Sequence, residues 1–364
     1  MIKIVGNKGI AEIIGIFIIV LVAGMLITIG AVSTSCASVI YETCSSQGFT
    51  VFSYVVDAII LLTLALLVIR RHKHHGNTLL FEVLEGTVTA LTSFFVFLIL
   101  LTMLSPNMSG HKATSTIYIA SAALAIFIVL LKDKWHRLRD FNTVVSSIGV
   151  GLVLGFNLQF EYAIVLIAIF AIYDYIAVFK TKEMISMAKA FASNDISFLM
   201  SVSDLEAVPR WGLSQKEIDE YMKYLRDVHL LDNPKFRKIL QKGKLPVISQ
   251  ISLGEGDLGL PLMAAISAYM YVSQFLSYMV MLGSVIGIAV TMLILKKYKH
   301  PIPAIPPLFA FIGIFAGIAF IITESASIYS LGVTLILIGI LVMLIDMLAI
   351  VRKMHIAMRK AVAA

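Results

Sequence analysis

Runs of about twenty apolar residues recur from one end of the chain to the other, separated by short polar stretches. A helix rising about 1.5 Å per residue needs about 20 such residues to cross the hydrocarbon layer. The pattern predicts ten membrane-spanning helices, roughly at 10–32, 49–69, 79–104, 113–131, 142–158, 160–180, 246–272, 275–295, 303–323 and 326–351. The fifth is short and the seventh is interrupted, so nine is the alternative count. The first run, about 23 residues long, exceeds the usual apolar core of a signal peptide and reads as a retained first helix. Only 181–245 breaks the rhythm with a long polar segment. Within it Ser214-Gln215-Lys216-Glu217 forms a capping box ahead of a charged helical stretch, with Pro209 and Trp211 marking a turn before it. The expected architecture is an all-α polytopic bundle in one membrane domain. Residues 1–180 carry six helices, 181–245 form a cytoplasmic insertion, and 246–364 carry four helices and a basic tail.

Composition supports lipid as the main solvent. The chain of 364 residues is 59% hydrophobic and 14% charged, with a mean hydropathy of +0.93. A soluble domain could not cover that much apolar surface. If the N-terminus is cytoplasmic and all ten segments cross, 28 of the 29 Lys and Arg residues fall on the cytoplasmic side, with Lys112 alone outside. This is the positive-inside asymmetry. The net charge of +7 therefore reads as an orientation signal with attraction to the headgroups of the bilayer, and no nucleic-acid partner is expected.

Acidic residues inside spans cost about 2.5–3.5 kcal/mol each on insertion scales, so they are candidates for function. Glu12, Glu82 and Glu324 lie near span ends, where water or snorkelling relieves the cost. Asp57, Glu85 and Asp346 lie deeper and could bond neighbouring helices. Asp174, in Ile172-Tyr173-Asp174-Tyr175, stands six residues before Lys180, about 9 Å below the cytoplasmic boundary. Asp257 follows Gly254-Glu255-Gly256 in the seventh segment. A helix starting at Pro246 would bury it about 16 Å deep, well below Asp174. The stretch from Leu245 to Leu253 is instead rich in β-branched residues and ends in two glycines, so it reads as extended. Pro261 agrees, being best tolerated in a first turn. A helix starting near Asp257 lifts its carboxyl to the depth of Asp174. Two carboxyls so placed can share one proton. One then serves as general base on a water while the other polarises a peptide carbonyl.

Tyr173-Asp174, Gly254-Glu255-Gly256-Asp257 and Pro303-Ala304-Ile305, in that order, resemble the Y-D, G-x-G-D and P-A-L signatures of the presenilin and signal peptide peptidase family of intramembrane aspartyl proteases. The resemblance covers about 160–323 in detail and the preceding helices in outline. It implies a nine-helix protease that cuts single-span membrane proteins within or near the membrane, with Asp174 and Asp257 as the catalytic pair. Tyr173 would pack beside the site, Gly254 and Gly256 would admit close backbone approach, and Pro303, Ala304 and Ile305 would shape the site and touch substrate. Three departures stand out. Ile305 replaces leucine, Glu255 adds a third carboxyl in a slot usually apolar, and a tenth span follows the ninth. The cytoplasmic placement of 181–245 implies substrates with an external N-terminus. An extended 246–253 could pair with unwound substrate as an added strand.

Competing readings include a proton-coupled transporter or ion pathway built on the intramembrane acids, a prepilin peptidase, which also carries G-x-G-D, and a catalytically silent scaffold. No internal repeat supports the transporter. The prepilin class lacks the proline motif. Four prolines between Pro301 and Pro307 forbid a helix there, read either as a loop before a ninth helix starting at Pro306 or Pro307, or as part of the site. Cys36 and Cys44 share the first external loop, paired or free. The run Arg70–His75 serves the charge bias better than it would hold a metal. No zinc spacing, phosphate loop or nucleophile–histidine pair occurs, so no metal or cofactor is expected, and no oligomeric state is specified.

Overall fold

The computed structural model describes residues 7–33, 79–105, 111–131, 136–181, 199–209, 222, 234–298, 302–323 and 326–362. The expected span at 49–69, Asp57, the two cysteines, the Arg70–His75 run, the Ser214–Glu217 capping box and Glu324 lie outside the described residues.

The described helices are α1 (Asn7–Ser33), α2 (Leu79–Leu104), α3 (His111–Leu131), α4 (His136–Asn157), α5 (Phe160–Ile176), α6 (Pro234–Gln241), α7 (Glu255–Tyr271), α8 (Gln274–Tyr298), α9 (Ile305–Ile322) and α10 (Ala326–Val362). A turn of π-helix, Ala177–Thr181, continues α5. Among the described residues, six stretches are long and apolar enough to span a membrane, those in α1, α2, α5, α8, α9 and α10. Helix α4 is more polar for a physical reason: Asn142, Thr143, Ser146 and Ser147 are all buried against protein. Apart from the short α6, each described helix falls on one of the predicted spans. The seventh differs: its helix begins at Glu255, and the preceding residues are strand.

The insertion contains a strand that the sequence reading did not anticipate. Strand β1 (Leu199–Pro209) pairs antiparallel with β2 (Lys244–Gly254), and Leu199 stands opposite Gly254. Both strands are long for a two-stranded ribbon, and β2 runs directly into α7.

Helix α7 is the hub. Every position from Leu258 to Ala268 is buried, the mark of a helix enclosed by other helices. It packs on α4, α8, α1 and α5. Lipid tails are as apolar as leucine, so helices here are held by close van der Waals fit and interhelical hydrogen bonds, and small residues set the approach. A Cβ at Gly151 would lie 2.7 Å from Leu262 Cγ, and one at Gly155 would lie 2.7 Å from Ile266 Cβ. Tyr271 at the far end of α7 donates its hydroxyl to the Phe156 carbonyl (2.5 Å), and Ser267 donates to the Leu158 carbonyl. Helix α10 is joined to α9 in the same way, Gly317 against the Gly332 carbonyl and Gly339 against the Ala310 carbonyl.

On its other side α4 meets α2, where a Cβ at Gly149 would penetrate the Thr92 carbonyl. Gly149→Ala is therefore expected to cost about 1–3 kcal/mol through overpacking, read as a lower thermal midpoint of the detergent-purified protein. Gly15→Ala, whose added Cβ meets nothing within 4 Å, is the control and should not lower it. Equal midpoints for the two variants would contradict the α2–α4 contact.

Candidate functional site

The two acids singled out from the sequence meet where α5, α7 and the start of α9 converge. Asp174 lies in the last turn of α5, is 2% exposed and accepts a hydrogen bond from the Ile305 N–H at 3.1 Å. Its Oδ1 has no partner among the described residues. Asp257 is the third residue of α7, half-buried, and accepts the Gly254 N–H on Oδ2 at 3.2 Å. The two carboxyls interact electrostatically. The start of α7 at Glu255 produces this meeting: Asp257 stands in a first turn, level with the last turn of α5, not three turns down.

The proline-rich segment directs backbone donors at Asp174, chief among them the Ile305 N–H. The first residues of a helix carry N–H groups without intrahelical partners. In α9 these positions are Ile305, Pro306 and Pro307, and the two prolines have no N–H to offer. Only Ile305 is left, at the positive end of the helix dipole, and it points at Asp174. The helix starts one residue before the prolines expected to start it. Pro303 is buried and Ala304 half-buried just before this turn.

Pro261 occupies the second turn of α7 and not the first turn expected from sequence. Its missing N–H would have reached four residues back, to the carbonyl of Asp257. The Asp257 backbone oxygen therefore lacks its usual donor four residues on.

Backbone pairing sets the edge that leads to Asp257. In an antiparallel strand, alternate residues turn both backbone groups toward the partner or away from it, and proline takes positions whose nitrogen faces away. Pro246 stands opposite Ala207 and Pro209 opposite Lys244, so both prolines fall in one alternate set. Gly254 belongs to that set, and its N–H is turned to Asp257. The outward groups of β2 are thus those of Ile248, Gln250 and Ser252, ending at the carboxyl of Asp257. Among the described residues no third strand covers this edge.

The other sequence candidates are dispersed around this centre. Tyr173 is half-buried one residue before Asp174, and Gly256 is exposed at the mouth of α7. Glu255 is 8% exposed and accepts from Ser146 Oγ of α4 at 3.4 Å; Ser146 in turn lies 2.9 Å from Thr92 Oγ1 of α2. Two residues along a helix are about 200° apart, so Glu255 anchors the start of α7 to α4 while Asp257 faces α5. Of the lesser acids, Glu12 is exposed and 3.8 Å from Lys8. Asp346 is one of the deep acids expected to bond neighbouring helices. It is 4% exposed, on the face of α10 that looks into the bundle, and interacts electrostatically with Asp174. Its spacing of six residues from Arg352, equal to that of Asp174 from Lys180, was the available signal.

The profile of the family "Signal-peptide peptidase, presenilin aspartyl protease" matches residues 14–324. Among solved structures, a presenilin family intramembrane aspartate protease in space group C222 aligns with a TM-score of 0.50 and 16% identity, covering 84% of this chain and 97% of that one. The P2 crystal form of such a protease aligns with a TM-score of 0.47 and 17% identity over 82% and 95% of the two chains. At these identities the likeness concerns the fold. No curated protein matches the chain by sequence.

Proposed function

We infer the chemistry of this chain from the family to which it belongs, that of the signal-peptide peptidases and presenilin aspartyl proteases. It is a multi-pass integral membrane protein and an intramembrane aspartyl protease acting on membrane-embedded substrates. The transporter reading gives way to this assignment. Our proposal concerns the residues that do the work: Asp174 and Asp257 are the catalytic pair. The observation that carries it is the juxtaposition of two carboxyls from α5 and α7 within the helix bundle.

Two adjacent carboxyls hold one proton between them. The ionised member takes a proton from water as the water oxygen attacks the scissile carbonyl carbon. The protonated member hydrogen-bonds the carbonyl oxygen as negative charge develops there. Collapse of the tetrahedral species breaks the C–N bond, and the leaving nitrogen takes a proton from the pair. The Ile305 N–H orients Asp174, and the Gly254 N–H orients Asp257. No metal or covalent intermediate enters this sequence of steps.

The peptide bonds of a helical substrate are shielded by their own turns, so the substrate has to unwind first. The outward edge of β2, which no third strand covers among the described residues, offers the backbone partners that an unwound segment loses, as in other cases of strand addition, and delivers the segment to Asp257. The substrates are single-span proteins. The lysine and arginine distribution supports a cytoplasmic N-terminus and a cytoplasmic 181–245 insertion, and in that orientation the substrates enter with their N-termini outside. The insertion, between the blocks 1–180 and 246–364, supplies β1 to support that edge.

Cleavage of a single-span reporter by purified protein tests the pair. Asp174→Asn and Asp257→Asn should each lower kcat by at least about 100-fold with unchanged thermal midpoints. Full activity in either variant would refute the assignment. In the same assay Ile248→Pro removes one outward N–H and leaves the β1–β2 pairing intact. Cleavage should fall at least about 10-fold, because a lost backbone hydrogen bond is worth about 1 kcal/mol and proline also bars close approach of the new strand. Undiminished cleavage by this variant would exclude strand addition along β2.

A further inference from the structure

Helix α10 lies beyond residue 324, where the family match ends. It closes one side of a groove of about 540 Å³ whose other walls are α5 and α9, lined by Ala171, Tyr175, Pro306, Phe309, Leu335 and Asp346 among others. The close glycine contacts with α9 make α10 a fixed wall. Asp346 is the only charged side chain between Ser330 and Val351. It is 4% exposed, its Oδ1 has no partner among the described residues, and it interacts electrostatically with Asp174. A carboxyl in this position needs a partner, because charges inside a membrane pair with one another or with polar groups.

We propose that Asp346 is a specificity-determining residue that pairs with a lysine or arginine in the substrate's membrane segment, near the level of the scissile bond. This rests on the assignment of Asp174 and Asp257 as the catalytic pair. The levels agree: Asp346 is six residues before Arg352 and Asp174 six before Lys180, which puts both about 9 Å below the boundary. The groove is continuous with the site, since Ala171 and Tyr175 flank Asp174 on α5 and Pro306 follows the residue bonded to it. Its volume accommodates the side chains along one face of an apolar segment, not a whole helix about 10 Å across. A lipid chain would fill the apolar walls and leave Asp346 without a partner. A single-span substrate with a cytoplasmic C-terminus instead brings basic residues to this end of its span. Their apolar stems can lie along Leu335 and Phe309 while the charged head reaches the carboxyl.

The test is a set of single-span reporters with an all-apolar segment and one lysine walked through successive positions around the cleavage site. The wild type should cut one register, or two neighbouring ones, at least 10-fold faster in kcat/KM than the all-apolar parent. Asp346→Asn and Asp346→Leu should lose that preference yet cut the parent at the wild-type rate, and Asp346→Lys should shift the preference to a glutamate at the same register. The inference fails if no register is preferred, as lipid occupancy of the groove would give, or if the preference survives both Asp346→Asn and Asp346→Leu. It also fails if these variants lose cleavage of the parent with an unchanged thermal midpoint, since Asp346 would then act in the chemistry. Failure of the catalytic-pair assignment looks different: wild-type cleavage of the parent would persist in Asp174→Asn.

Discussion

Hydrocarbon offers no hydrogen bonds, so a chain inside a membrane leaves the helix only where protein or water takes up the freed backbone groups. This protein leaves the helix at two places that matter, before α7 and before α9, and both departures end on a carboxyl. Strand β2 delivers the Gly254 N–H to Asp257, and the turn before α9 delivers the Ile305 N–H to Asp174. A continuous helix through 246–272 would have satisfied its own backbone and hidden Asp257 three turns deep. The extended approach keeps that carboxyl in the first turn of α7 and gives it a donor. The prolines at 306 and 307 have the complementary effect, since they remove two donors from the first turn of α9 and leave the Ile305 N–H for Asp174.

Hydrolysis inside a bundle also needs walls that hold still while the backbone near the acids is irregular. The small residues of α4 allow that. Gly151 and Gly155 bring α4 against α7, while Ser146 ties Glu255 to Thr92 and so holds the first residue of α7 in place. Glu255 and Asp257 stand two residues apart with separate duties, one fixing the helix and the other facing α5. The glycines of α9 and α10 do the same on the opposite side. The irregular segments therefore lie between rigid supports, a favourable setting for positioning a water and a peptide bond.

Much of this was legible in the sequence. The β-branched run before Gly254 and the two glycines around Glu255 announced that helix α7 would start late, and the equal depth this gives Asp174 and Asp257, with the motifs around them, singled the two out. Hydropathy gives depth along a span but not the direction a side chain faces. That is why Asp346 could not be distinguished from other deep acids, and why the side of α7 taken by Glu255 was not foreseen. Strand β1 escaped for a different reason. Its alternation, as in Met200-Ser201-Val202-Ser203, is weak beside the apolar runs, and its partner lies some 45 residues away, across a charged stretch. Pro261 was assigned to a first turn because a proline is usually harmless only there; here it sits one turn later, at a position where the lost bond falls on Asp257 itself.

The central claim is that Asp174 and Asp257 act together on one peptide carbonyl. Its most direct measurement is the structure of the protein with a peptide isostere whose hydroxyl mimics the tetrahedral species. That hydroxyl should lie within hydrogen-bond distance of both carboxyls, with the isostere backbone alongside Ile248 and Gln250 of β2, and Asp174→Ala or Asp257→Ala should each abolish binding. An isostere that inhibits cleavage while its hydroxyl touches neither carboxyl, or that binds both alanine variants as tightly as the wild type, would contradict the account.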